Sequence, residues 1–167
     1  MKTAFVISLW SNGNLAEYIF RIIIPLVIIP IFILVDRKRK NTTKPHQAFV
    51  SKIFIWMVLP FWMVLHAFFG FQYYLKTKEL VDLYQKDKFQ ITEGLVHVIR
   101  QQPYQGHAPG DLIEVSGNKF VIDQFTQSPC YTKTIAYDGI LREATRVRIY
   151  SIQGQIVRLD YEQKNGA

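Results

Sequence analysis

The sequence predicts a membrane α protein that carries a small all-β domain: a two-helix transmembrane hairpin followed by a five-stranded OB-like barrel. Three observations predict it. Two long apolar runs, residues 18–35 and 53–75, lie in the first half of the 167-residue chain. A basic cluster, Arg37-Lys38-Arg39-Lys40, stands between them. Beyond residue 88 the hydrophobic period changes from helical to alternating, as in strands.

The first run has 18 residues. As a helix it reaches roughly 27 Å, just enough for a hydrocarbon core of about 30 Å. The second has 23 residues and is long enough to span with some tilt. Two runs this uniform are more than the rest of a small chain can wrap, so transmembrane helices are expected at 17–36 and 53–75.

The distribution of Lys and Arg sets the orientation. Residues 37–52 contain Arg37, Lys38, Arg39, Lys40, Lys44 and Lys52, with only Asp36 beside them. A short loop this basic is expected in the cytoplasm. Both termini and the C-terminal domain then lie outside, which places the chain in a bacterial inner membrane as a two-pass protein with a periplasmic domain. Residues 1–16 precede the first span. Their apolar stretch, 4–10, is short and lacks a small-x-small cleavage pattern, so it is expected to stay as an interfacial segment with Phe5 and Trp10 at the headgroups.

A net charge of +7 and a pI near 9.5 invite a nucleic-acid reading, which the charge distribution removes. Residues 1–75 hold 8 basic residues against 2 acids, and residues 76–167 hold 12 against 11. The basicity belongs to the membrane surface, where anionic lipid attracts each cation by about 1 kcal/mol. Membrane lipid is therefore an expected partner and nucleic acid is not. Cys130 is the only cysteine, so no intrachain disulfide forms.

Inside the runs, Arg21 and His66 are the intramembrane polar residues. Arg21 is near enough to an end to snorkel, and His66 is expected to find one hydrogen-bond partner across the hairpin. Pro25, Pro30 and Pro60 interrupt the helical ladder and can kink it.

Residues 76–88 continue the helical spacing and predict a stalk leading into an OB-like domain at 89–167. Strands are expected at 90–100, 111–116, 119–123, 145–152 and 155–162. Gly117-Asn118 and Gln153-Gly154 have the chemistry of tight hairpin turns. In the last hairpin Val147 and Ile149 alternate with Arg146 and Arg148, and Val157 and Leu159 with Arg158 and Asp160. Three strands, an irregular stretch at 124–144 and a closing hairpin give the order of a small barrel, with an open sheet or small sandwich as the alternative.

The motifs Glu93-Gly94-Leu95-Val96, Pro103-Tyr104-Gln105-Gly106-His107, Val115-x-Gly117-x-x-Phe120, Gly139-Ile140 and Val147-Arg148-Ile149-Tyr150 together resemble a group of small uncharacterised bacterial membrane proteins. In that group an extracytoplasmic β domain follows transmembrane helices. The resemblance covers roughly residues 93–159 and implies no activity. It also implies a Gly before the Val-Arg-Ile strand, where this chain has Ala144. In general layout the chain is similar to NfeD-type proteins, a likeness of fold that carries no site.

The turn-rich loop 101–110 offers the best candidate surface. It displays Tyr104 and His107 close in sequence to Asp111 and Glu114, on the end of a barrel that usually borders the ligand face. The alternative is that Tyr104 packs on the barrel end and His107 caps a turn. His97, His107, Asp111 and Glu114 lack the spacing of a metal site, and neither a phosphate loop nor a nucleophile elbow occurs. No catalytic residue, metal or cofactor is expected. The expected role is a membrane-anchored, non-enzymatic, extracytoplasmic interaction module that binds another membrane or envelope protein. Alternatives are a subunit of an oligomeric membrane assembly, such as a pore or transporter accessory that is itself a homo-oligomer, and a toxin-immunity protein.

Overall fold

The computed structural model describes residues 1–10, 53–104 and 109–163, with seven isolated positions between Phe20 and Arg37. The chain divides into two compact units, one of Met1–Leu9 with Thr77–Ala167 and the other of Trp10–Lys76. The elements are β1 (Lys2–Val6), α1 (Leu59–Gln85), β2 (Gln90–Arg100), β3 (Asp111–Val115), β4 (Asn118–Ile122), β5 (Arg146–Ile152) and β6 (Gln155–Tyr161). A π-helical stretch, Phe54–Val58, leads into α1, and a 3-10 turn, Ile135–Tyr137, lies before β5. Pro60 has no N–H to give the Trp56 carbonyl, and the winding is widened just ahead of it.

The strands form one six-stranded antiparallel sheet in the order β1-β6-β5-β2-β3-β4. This corrects the expected five-stranded OB-like barrel. Lys2–Val6, expected at a lipid interface, is the sixth strand, with Lys2 opposite Tyr161 and Val6 opposite Arg158. Five residues have too little alternation to read as a strand alone, and their partner lies at the other end of the chain. The sheet ends in β1 and β4 as edges, which are not hydrogen-bonded neighbours.

The two-helix hairpin and the two-pass inner-membrane topology with a periplasmic domain are corrected as well. Among the described residues one helix, Trp56–Gln85, is long and apolar enough to cross a membrane. The second apolar run and the expected stalk join in this helix, whose end is drawn into the β unit: Leu80 and Val81 are buried there. Most of the first run and of the basic loop lies outside the described residues.

β2 is the strand that organises the sheet. Residues Gln90 to Leu95 pair with β5, while Val96 to Arg100 pair with β3. Gly94 stands just before the change of partner, where a Cβ would press on the Ser116 hydroxyl and on Val115. Both hairpins turn through two residues with positive φ, Ser116 (48°) with Gly117 (81°) and Gln153 (51°) with Gly154 (76°). That is the type I′ geometry which suits twisted strands. The first turn therefore sits one residue earlier than the Gly117-Asn118 pair, and Asn118 already faces Val115 in the ladder.

Alternation gives the sheet two apolar faces. One carries Val96, Ile113, Val115, Phe120, Val147, Ile149 and Leu159, closed over by Tyr131 and Leu141 from the irregular stretch. The other carries Tyr150, Ile152 and Val157, covered by Leu80 and Val81 of α1 and by Ile7. A bulge in the β5–β6 register, between Tyr150 and Ser151, puts Val157 in the second cluster although Leu159, two residues on and expected on the same face, is in the first. Burying each such aliphatic side chain contributes about 2 kcal/mol. Cys130 is buried in the second cluster, with its thiol 3.3 Å from the Gln155 side-chain oxygen.

The end of α1 is fixed by its cap. Asp87 adopts φ 55°, its N–H donates to the Tyr84 carbonyl at 3.1 Å, and the Lys88 N–H donates to the Leu83 carbonyl at 3.0 Å. This is the Schellman pattern, with aspartate where glycine is easiest. Nearby, Arg158 stands 4.8 Å from the Tyr150 ring centroid, 3.4 Å from the Tyr84 hydroxyl and 3.0 Å from the Asp160 carboxylate. Burial by itself raises the pKa of Asp160, but hydrogen bonds from Arg158 and Thr3 and the charges of Arg158 and Arg148 outweigh it, so the carboxyl lies below its ordinary value.

Left-handed backbone costs a non-glycine residue about 1–2 kcal/mol, part of which glycine returns as entropy. Asp87→Gly and Ala144→Gly are therefore each expected to raise stability by about 0.5–1 kcal/mol, read as an increased melting temperature. Because the folded pKa of Asp160 is depressed, its contribution is present above the unfolded value of about 3.9 and is lost as pH falls through the folded one. Acid unfolding below about pH 4 should be shallower in Asp160→Asn than in the native chain, measured by circular dichroism.

Candidate functional site

Three aromatic side chains from three separate segments meet at the surface of the β unit. Tyr104, in the loop after β2, stacks on Tyr137 of the 3-10 turn, with centroids 5.5 Å apart and planes at 17°. Phe125, just past β4, meets Tyr137 edge-on at 5.9 Å and 82°. The Tyr137 hydroxyl donates to the Tyr104 carbonyl at 3.1 Å. Tyr104 is 71% exposed and Phe125 is 48% exposed. Aromatic pairs add about 0.5–1.5 kcal/mol beyond burial, which is too little to hold three loops together by itself.

Buried polar bonds do the holding. Asp111 opens β3 at 1% exposure. One carboxylate oxygen accepts the Gln102 N–H at 2.6 Å and the other accepts the Ile135 N–H at 2.6 Å. A single side chain thereby ties the loop that carries Tyr104 to the turn that carries Tyr137. Gln102 is fully buried, and its amide nitrogen is 3.4 Å from Asp123. Asp123 in turn accepts the Phe125 N–H at 3.0 Å and the Thr126 hydroxyl at 2.9 Å, an Asx turn that sets the third ring. Hydrogen bonds to a charged acceptor are worth about 1.5–3 kcal/mol each.

Two glycines allow the close approach. At Gly110 a Cβ would overlap the Ile122 carbonyl, and at Gly139 it would overlap the carbonyls of Lys133 and Thr134. The Arg100 guanidinium closes the loop base by donating to the Gly110 carbonyl at 3.2 Å.

Of the expected surface residues, Tyr104 lies at the exposed rim and Asp111 lies beneath it as a brace. Glu114 is on the opposite face of β3 from Asp111, in a cross-strand row with His97 and Lys119. His107 lies outside the described residues. So do Lys38, Arg39, Lys40 and Arg21, while Arg37 is an exposed helical position. His66 is on α1, its ring 4.0 Å from that of Trp62, and among the described residues its Nδ1 has no hydrogen-bond partner. Tyr137 and Phe125 were not legible as site residues. Their one local signal is turn chemistry, Asp123-x-Phe125-Thr126 and Thr134 before Gly139, inside a stretch with no periodicity.

A second polar pair lies where β5 leaves β2. One Glu143 carboxylate oxygen accepts the Val98 N–H at 2.6 Å and the other is 3.2 Å from the His97 ring. The Val98 hydrogen bond first, and His97 second, hold the Glu143 carboxyl below its usual range. Among the described residues no group of three or more His, Cys, Asp or Glu side chains is placed to hold a metal ion.

No family model, curated protein or solved structure matches the chain. The resemblance to small bacterial membrane proteins thus rests on its motifs alone.

Replacing Asp111 by Asn keeps one acceptor oxygen and turns an amide NH₂ toward a backbone N–H. The unsatisfied donor costs about 1–3 kcal/mol, so Asp111→Asn should lower stability by about 2 kcal/mol and weaken the tyrosine near-ultraviolet circular dichroism of the stacked pair.

Proposed function

We propose that the chain is a non-enzymatic interaction module whose β unit binds a protein partner through the Tyr104, Tyr137 and Phe125 rim, and which α1 holds at a membrane. The braced, exposed aromatic rim is the observation that carries this reading. Tyrosine and phenylalanine are enriched at the centres of interfaces because they bring large area with few rotatable bonds. Here the loops are already ordered by Asp111 and Asp123, so little further ordering entropy opposes binding.

The anchoring half of the proposal rests on α1. Trp56, Phe61, Val64, Phe68, Phe69 and Phe71 are all exposed; Phe61, Val64, Phe68 and Phe71 share one face, and Trp62, Leu65 and Phe69 extend the exposed apolar surface onto a second. Only 6% of the apolar window is buried. A helix with exposed apolar residues on more than one face calls for an apolar surrounding, and acyl chains provide it over about 20 residues. The partner is then a protein at the same membrane.

A photocrosslinking residue at Tyr104 in native membranes should give an adduct of discrete mass. Tyr104→Ser with Phe125→Ser should cut capture by an unmodified chain at least about tenfold, a loss of about 1.4 kcal/mol or more, while the lost ring contacts to Tyr137 lower the melting temperature by only several degrees and leave the fold intact. A diffuse smear, or equal capture by the double variant, would remove the rim as a binding surface. For α1, brominated acyl chains should quench Trp56 and Trp62 in a Trp10→Phe background. Fluorescence unaffected by the bromines would place this helix outside lipid.

A further inference from the structure

The β unit has an open groove of about 800 Å³ that the aromatic rim does not use. Leu95, Ile140 and Tyr161 supply its apolar lining, and Arg142 and Arg146 stand on it as cations. The size suits a small-molecule site, and the lining sets apolar side chains beside charged ones. From these residues we infer that the groove binds a small carboxylate with an apolar body.

The two arginines are available for such a ligand. The Arg142 Nε donates to the Gly139 carbonyl at 3.2 Å, which fixes the plane of the guanidinium and leaves its two terminal nitrogens. Among the described residues neither Arg142 nor Arg146 has a carboxylate within ion-pair distance. A guanidinium fork matches a carboxylate with two parallel hydrogen bonds, and an apolar body beside it would cover Leu95, which is 61% exposed.

Three acids also line the groove, and they narrow the ligand. Glu143 is occupied by the Val98 N–H and His97. With Asp138 and Glu162 it makes three acids against the two arginines, so the lining carries no net positive charge. A polyanion would meet repulsion there, whereas a single carboxylate can be held locally by the guanidinium groups.

The walls are set before any ligand arrives. The Ala144 N–H donates to the Val96 carbonyl at 2.9 Å, the Val96 N–H to Thr145 at 2.9 Å, and the Glu162 N–H to Arg146 at 2.9 Å. These backbone groups are satisfied, so recognition falls to the side chains. Asp138 and Ala144, both on the groove, hold positive φ of 60° and 57°.

The test is calorimetric titration of the full chain in lipid nanodiscs with 3-phenylpropionate, and with 3-phenylpropan-1-ol as its uncharged counterpart. The acid should bind saturably with a Kd below about 1 mM, and the alcohol at least about tenfold more weakly. Arg142→Gln with Arg146→Gln should weaken the acid by at least about tenfold and leave the alcohol unchanged. Because both side chains are exposed, this variant should keep the native melting temperature, and Tyr104→Ser should leave the titration unaltered, separating the groove from the rim. No saturable binding of the acid, equal binding of acid and alcohol, or full binding by the double glutamine variant would each overturn the inference.

Discussion

β2 is hydrogen-bonded to two different strands along its length, and most of the β unit depends on that division. Its first half continues β5 and β6, and its second half continues β3 and β4. Gly94 stands near the crossing, where a Cβ would press on the Ser116 hydroxyl and on Val115. One consequence is a sheet with a core on each face. Another is that the chain leaving β2 arrives over β3, where Asp111 can receive it. The groove opens on the other side, where β5 parts from β2 and Glu143 takes up the Val98 N–H left without a strand partner.

The rim and the groove are built by the same economy. Neither has an extensive hydrophobic core of its own; Asp111 and Asp123 at the rim, and Glu143 at the groove, bind backbone N–H groups of neighbouring segments. Such bonds are strong when buried and demanding in geometry, because a carboxylate taken out of water must have its acceptors filled. Asp111 meets that requirement with two donors 33 positions apart in sequence. The stretch between β4 and β5, which lacks regular structure apart from one 3-10 turn, gains its order in this manner and presents Phe125 and Tyr137 in fixed positions.

α1 changes environment along its length. Up to Lys76 its described side chains are largely exposed and apolar; from Thr77 it contributes Leu80, Val81, Leu83 and Tyr84 to the second cluster. Leu80 and Val81 are sequence neighbours, and Leu83 and Tyr84 follow one turn later, so one stripe of the helix meets the sheet. Arg158, Tyr84 and Tyr150 seal this contact at its polar edge. The Schellman cap at Asp87 then aims the chain into β2.

The local elements are legible in the amino-acid sequence. Alternation of Val147, Ile149, Val157 and Leu159 marked β5 and β6, Gln153-Gly154 marked their turn, and the 53–75 run marked an apolar helix, because each signal lies within a few residues of backbone. Tertiary structure alone decided the sixth strand, the number of sheet edges and the composition of the rim. Lys2–Val6 becomes a strand only because β6 offers it an edge, and Asp111 becomes a brace rather than a surface acid only because Gln102 and Ile135 are folded onto it. The same reason covers both cases. A long-range hydrogen bond leaves no periodicity in the sequence, so the residues that make it look like any short polar or apolar stretch until their partners are in place.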